Sequence, residues 1–257
     1  MVHEIEGQSI DQIAVQLART MLDKGHYNNP RGKKTLEIDD AFLTLKDPTK
    51  NVISNEARGT DLEYLRGELD WYLNGTYDAD GITEHSSFWE NLTDRNGTVN
   101  SNYGMIALKE KYNGKSQFNW CVDKLNEDRQ SRQAVINYNQ PEHKYDGNRD
   151  FVCTMYQQFR SNDGKNLDST VSMRSNDFIF GATYDIPFFT MIQQGMCFET
   201  DTKLGDYKHH AGSMHVYERH FDMLEDIAKT GEVPDSGQLM AVPGQEYNRP
   251  TDFYLDA

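Results

Sequence analysis

Apolar residues recur along this chain with two periods, about 3.6 residues in some stretches and about 2 in others, and the switches between them mark the predicted elements. Residues 9–24 set Ile10, Ile13, Ala14, Leu17, Met21 and Leu22 on one helical face, with Ser9 as N-cap and Gly25 as stop. A basic turn over 29–34 leads into an expected strand over 35–45. Residues 61–73 read as a second helix, which packs Leu62, Leu65, Leu69 and Tyr72, points Arg66, Glu68 and Asp70 elsewhere, and ends at Gly75. An aromatic turn at 86–92, a packing helix at 118–125 and a short apolar strand at 134–138 follow.

Over residues 150–160 the pattern alternates one by one, setting Phe151, Cys153, Met155 and Gln157 against Val152, Thr154, Tyr156 and Gln158. A polar turn at 162–166 returns the chain as a strand over 167–175, which ends in Met173-Arg174-Ser175-Asn176-Asp177. A cysteine thus comes to lie near an arginine, a serine and an aspartate at a strand end, where an active site can be built. Further on, Pro187 suits the first turn of a buried helix, with Asp185 as its cap. A strand enters over 207–210, His215 and Tyr217 share one side, residues 216–228 form a last packing helix, and the tail over 231–257 has few apolar anchors.

A length of 257 residues without a Pro/Gly/Ser-rich linker fits one domain over 1–257. The formal charge of −15 argues against a nucleic-acid surface, yet a few converging arginines could still hold an anionic nucleotide. No apolar run approaches the roughly 18 residues of a membrane span, and the first residues lack the pattern of a secretory signal. We therefore expect a cytoplasmic protein without membrane contact. Cys121, Cys153 and Cys197 have neither disulfide-framework nor zinc spacing, and the histidines at 209, 210, 215 and 220 complete no recognised ligand set, so no metal is expected.

Several motifs carry a resemblance. Asn100-Ser101-Asn102-Tyr103-Gly104, Cys153-Thr154 with Gln158-Phe159 beyond it, Met173-Arg174-Ser175-Asn176-Asp177, Gly181 and Gly212-Ser213-Met214-His215-Val216-Tyr217 occur in the order of the thymidylate synthase superfamily. Within it they most resemble the phage deoxycytidylate hydroxymethylase branch. The resemblance spans residues 31–220 and implies an α/β (α+β) fold, a mixed twisted sheet covered by helices, and a sheet-packed homodimer with shared active sites.

The resemblance also implies roles. Cys153 is the nucleophile, Glu68 relays protons and Asp185, where synthases carry asparagine, reads the base. Arg31, Arg132, Gln158, Arg174, Ser175, His215 and Tyr217 bind the nucleotide. Trp89, Asp177 and Gly181 bind 5,10-methylenetetrahydrofolate as co-substrate. On residue type alone, Arg31 reads as a loop charge, Glu68 as a solvated charge, Trp89 as a core residue and Asp185 as a helix cap. Arg132 stands where the family often has two arginines reaching into the other subunit; Gln133 takes the second place. The implied reaction is hydroxymethylation of dCMP at C5, in a host-cell cytoplasm if the enzyme is virus-encoded. Turnover of dUMP or CMP, a methyl product, and a non-catalytic nucleotide-binding or scaffold subunit are the alternatives.

Overall fold

Residues 2–243 and 250–256 are described by a computed structural model of the chain. Its elements are β1 (His3–Gly7), α1 (Ile10–Lys24), β2 (His26–Asn28), β3 (Thr35–Leu45), α2 (Leu62–Asn74), α3 (Asp80–Thr83), α4 (Gln117–Glu127), β4 (Val135–Asn137), β5 (Thr154–Arg160), β6 (Asn166–Met173), β7 (Asn176–Asp177), α5 (Thr183–Thr200), β8 (Lys203–Tyr217), α6 (Phe221–Ala228), β9 (Gln238–Pro243) and β10 (Pro250–Asp256).

The caps fall where the side chains ask for them. Ser9 Oγ accepts from Gln12 N at 3.4 Å to start α1, and Asp61 Oδ1 accepts from Tyr64 N at 3.0 Å to start α2. Gly75, at φ 63°, ends α2 in the left-handed region that its missing Cβ permits. The inner face of α1 differs slightly from expectation: Leu22 is 44% exposed, and Val15 and Ala18 are buried instead. Leu22 lies one residue, about 100°, beyond Met21 on the helix and so falls outside the stripe.

The sheet runs β1-β3-β8-β6-β5-β4, with β2 paired to β3 and β7 to β8. The β1–β3, β6–β8 and β7–β8 pairs are parallel and the others antiparallel, so the sheet is mixed. One cross-strand row, Leu43–His209–Val171–Gln157–Ile136, is buried. α5 contacts this region, and Gln157 Nε2 donates to Phe189 O at 2.9 Å. α5 is buried nearly all round, which marks a core helix. The neighbouring row, Phe42–His210–Ser172–Tyr156, looks out from the opposite face, with the Phe42 and His210 rings stacked at 4.2 Å.

In β5 strict alternation fails at a register shift between Thr154 and Tyr156. Val152 and Thr154 are buried before it, and Gln157 and Phe159 after it. The extra residue of a β-bulge reverses which side is inward, so Cys153 and Gln157 do not share a face as their spacing suggested. β8 also runs on through Tyr217, so the last helix starts at Phe221 rather than at 216.

The tail is better anchored than its composition implied. β9 and β10 form an antiparallel hairpin whose Leu239, Ala241 and Phe253 are buried. Asn51 and Gln194 clip it on: Asn51 Oδ1 accepts from Leu239 N and Gln194 Oε1 from Ala241 N, both at 2.8 Å. Buried amides therefore do the work expected of apolar anchors. The Arg66 guanidinium on α2 stacks 5.1 Å from the Phe253 ring centre. Residues 244–249 and 257, part of the predicted tail, lie outside the described residues. Among the described residues no helix is long and apolar enough to cross a membrane.

Candidate active site

The start of β5, the end of β6, β7 and the first turn of α5 meet at one end of the sheet. Cys153 O accepts from Arg174 N at 2.9 Å, which ties the two segments by backbone. The Arg174 fork is then fixed: it donates to Phe151 O at 2.6 Å, Val152 O at 3.3 Å and Ser175 Oγ at 3.0 Å, and reaches Cys153 Sγ at 3.3 Å. Of the three cysteines, all free, only Cys153 is half-buried. Burial pushes the thiols of Cys121 and Cys197 up to about 12 and about 11, which leaves them unreactive. Cys153 is also raised, first by burial and then by the charges of Asp185 and Asp150, while Arg174 and Ser175 pull the other way. Arg174 alone would lower this thiol, but without substrate desolvation outweighs the guanidinium.

Two carboxyls face this sulfur's surroundings. Glu68 does not point to solvent as its helical position suggested. It is 5% exposed, and Oε1 accepts from Tyr64 Oη at 2.8 Å, while that hydroxyl accepts from Trp89 Nε1 at 2.9 Å. Burial, with a further push from Asp185, raises Glu68 to about 8. Asp185 is half-buried, and burial raises it to about 7 with help from Asp177. It does not cap α5. The chain enters that helix through a wide turn, Phe178–Ala182, capped by Asp177, whose Oδ1 accepts from Ile179 N at 2.9 Å. Asp185 Oδ2 instead accepts from Asn176 Nδ2 at 2.8 Å.

A pH dependence of stability follows. A carboxyl that binds its proton more tightly folded than unfolded contributes stability that is full below about 4.5 and is lost as pH climbs to about 8 for Glu68. Urea unfolding should therefore show stability falling between pH 5 and 8, by up to roughly 1.4 kcal/mol per pH unit for such a group. Glu68→Gln should flatten that slope; an unchanged slope would show that Glu68 is not held protonated.

The remaining expected residues divide into two sets. His215 and Tyr217 end β8 beside Asp177, their rings 5.2 Å apart, and His215 pairs with Asp177 in the strand register. Arg31, exposed at φ 53°, lies near enough to Tyr217 for its charge to act on the phenol. Gly181 borders the Asn176–Asp185 bond, where a Cβ would stand 2.7 Å from Asn176 Nδ2. Arg132 and Gln158 are not brought to Cys153. They meet each other, Gln158 Nε2 donating to Arg132 O at 3.3 Å, about five residues up β5 from the sulfur.

The comparisons bear on this arrangement. The thymidylate synthase family model matches residues 12–241. This chain belongs to the thymidylate synthase family. Among relatives, deoxycytidylate 5-hydroxymethyltransferase of Enterobacteria phage T4 is 28% identical over 239 residues, covering 88% of this chain and 94% of that protein. Its counterpart from Enterobacteria phage T2 is 27% identical with the same coverage. Deoxyuridylate hydroxymethyltransferase of Bacillus phage SP01 is 25% identical over 243 residues, 89% of this chain and 63% of that one. As a thymidylate synthase family member with such relatives, the chain is a transferase.

Sequence reasoning gave no site role to Tyr64, Arg58, Asn176 or Tyr207, and weighed His209 only as a metal ligand. Tyr64 could have been found, since it precedes Glu68 by four residues on one helical face. Arg58 is 2% exposed, donates to Ile179 O at 2.8 Å, and lies between the Phe180 and Tyr184 rings. A separate concavity of about 370 Å³ is lined by Tyr77, Glu110, Tyr112, Gln140 and His143 among others. It contains no nucleophile, and Glu110 there already accepts from Tyr77, Tyr112 and Gln140.

Proposed function

We propose that this enzyme transfers a one-carbon unit to C5 of dCMP and adds water, giving 5-hydroxymethyl-dCMP. The observation that carries the reading is an acid, Asp185, on the wall that shares its electrostatic field with Cys153 and Glu68. Cytosine offers an amino donor at C4 and an acceptor at N3, so a carboxylate that takes the amino hydrogen and shares one proton with N3 matches it. The phage T4 and T2 relatives are named for deoxycytidylate, in agreement.

Cys153 Sγ adds to C6 of the ring, which makes C5 nucleophilic. Arg174 steadies the thiolate as it forms, so the raised thiol of the free protein becomes reactive only when a substrate completes the site. Methylenetetrahydrofolate supplies the one-carbon unit when bound. The half-exposed rings of Phe88 and Phe180, 57% and 48% exposed, flank Trp89 and Asp177 and suit a flat pterin with a hydrogen-bonding edge. Glu68, with Tyr64 behind it, moves protons about the base. Loss of the C5 proton together with the folate amine leaves an exocyclic methylene on a ring that still carries Sγ at C6; water adds to that methylene, and departure of Sγ then restores the C5–C6 double bond. Arg31, Arg174 and Ser175 hold the phosphate, while His215 and Tyr217 hold the sugar hydroxyl.

Arg132 and Gln158, away from this cluster, fit a homodimer packed through the outward row Phe42–His210–Ser172–Tyr156, in which Arg132 of one copy reaches the phosphate in the other. The deciding experiment supplies methylenetetrahydrofolate with dCMP or dUMP and weighs the product by mass spectrometry. Hydroxymethyl-dCMP is expected. Turnover of dUMP alone, the substrate in the name of the Bacillus phage SP01 relative, would reject the cytosine assignment.

A further inference from the structure

Behind Asp185 runs a chain of buried side chains that the motifs did not assign. Asn176 Nδ2 lies 2.8 Å from Asp185 Oδ2, Asn176 Oδ1 lies 3.0 Å from His209 Nε2, and His209 Nδ1 lies 2.9 Å from Tyr207 Oη. Asn176 is 3% exposed, and His209 and Tyr207 are each 1% exposed. Only one proton order satisfies every pair when Asp185 is ionised. Its oxygen accepts, so the amide must turn an N–H toward it and its carbonyl toward His209. His209 then donates from Nε2 and accepts the Tyr207 hydroxyl hydrogen at Nδ1. Burial keeps this imidazole neutral, its pKa lowered to about 3, so it can donate at one nitrogen and accept at the other.

Space is kept for the junction. A Cβ on Gly181 would stand 2.7 Å from Asn176 Nδ2 and 3.5 Å from Asp185 Oδ2. The amide therefore cannot swing without losing partners at both ends, and the three side chains are a fixed rod ending on one carboxyl oxygen.

Building on the cytosine reading above, we infer that Asn176, aligned by His209 and Tyr207, is a positioning residue for base choice. Its amide hydrogen keeps Asp185 Oδ2 an acceptor, so the proton between Oδ2 and the base sits on N3 of a cytosine. The ring is thereby made more electrophilic at C6, where Sγ adds. The other oxygen, Oδ1, takes the amino hydrogen, and it repels the O4 of a uracil. No atom is gained or lost in this arrangement; one proton is shared between Oδ2 and N3, and the amide holds it toward the base.

The test compares Asn176→Ala, His209→Phe and His209→Gln with the unaltered enzyme, using dCMP and dUMP. Loss of a hydrogen bond to a charged group should lower the dCMP-to-dUMP ratio of kcat/KM by about tenfold or more in Asn176→Ala. His209→Phe, which lets the amide turn over, should shift the ratio the same way. His209→Gln restores an N–H donor and should recover most of it, a rescue that a merely structural role does not predict.

A second readout needs no turnover: titration of the Asp185 carboxyl carbon by NMR in the free protein. Its midpoint should rise in Asn176→Ala and His209→Phe and stay near the unaltered value in His209→Gln. The titratable groups that share its field are Glu68 and Tyr72 on α2, Tyr103, Cys153, Asp177 on β7 and Tyr207 on β8, and none is altered in these variants. An unchanged ratio and midpoint in Asn176→Ala overturns the inference. An unaltered enzyme that turns over neither nucleotide sinks the functional reading alone, since the titration still decides the rod. Should Asn176→Ala not fold, the His209 pair gives the same decision.

Discussion

Cys153→Ser should stop release of tritium from C5-labelled nucleotide, with a fall on the order of 10³-fold or more, because removing a nucleophile costs most of what its whole constellation supplies. Tritium leaves C5 only after addition at C6 has made that carbon exchangeable, so the assay follows the sulfur's own step. A hydroxyl in the same place is far less acidic than a thiol, and Arg174, already working against burial at Cys153, cannot ionise it. Folding should be preserved, since the side chain is half-buried and close in volume. Near-normal release would remove Cys153 as nucleophile and, with it, the reaction class.

Asp185→Asn should turn the base preference toward dUMP, changing the dCMP-to-dUMP ratio of kcat/KM by roughly 10³-fold or more, the scale on which hydrogen-bonding sites reject a mismatched partner. With Asn176 still donating, the new amide keeps its oxygen where Oδ2 was and places its NH₂ where Oδ1 was. It then accepts from N3–H and donates to O4, which is uracil's pattern. Competition between the two nucleotides in one vessel measures the ratio directly. A preference left at the original value would show that residue 185 does not face the pyrimidine.

Much of this arrangement is legible in the sequence, and the reasons differ by element. α1, β3 and α2 announced themselves through periodicity bounded by capping side chains at Ser9 and Asp61, which are local signals. Cys153, Arg174 and Ser175 were paired from the strand-turn-strand pattern, and they do meet. What stayed hidden depends on partners far along the chain. Glu68 looks like a surface charge until Tyr64 and Trp89 are seen to enclose it. The tail lacked obvious anchors because Asn51 and Gln194 hold it, and amide side chains give no periodic signal. His209, considered as a metal ligand, is a hydrogen-bonding link between Tyr207 and Asn176, which no spacing rule reveals. Among the described residues no group of three or more metal-binding side chains is gathered.

The extra residue in β5 has a consequence for inheritance and for grafting. Pairing the strand regularly with every residue kept would restore plain alternation, set Cys153 four positions from Gln157 on one face, and turn the sulfur to the side of Gln157 and Phe159, inside the packed interior. Transplanting the cysteine motif onto a regular ribbon would therefore carry its letters without its reach, and the irregularity must travel with them.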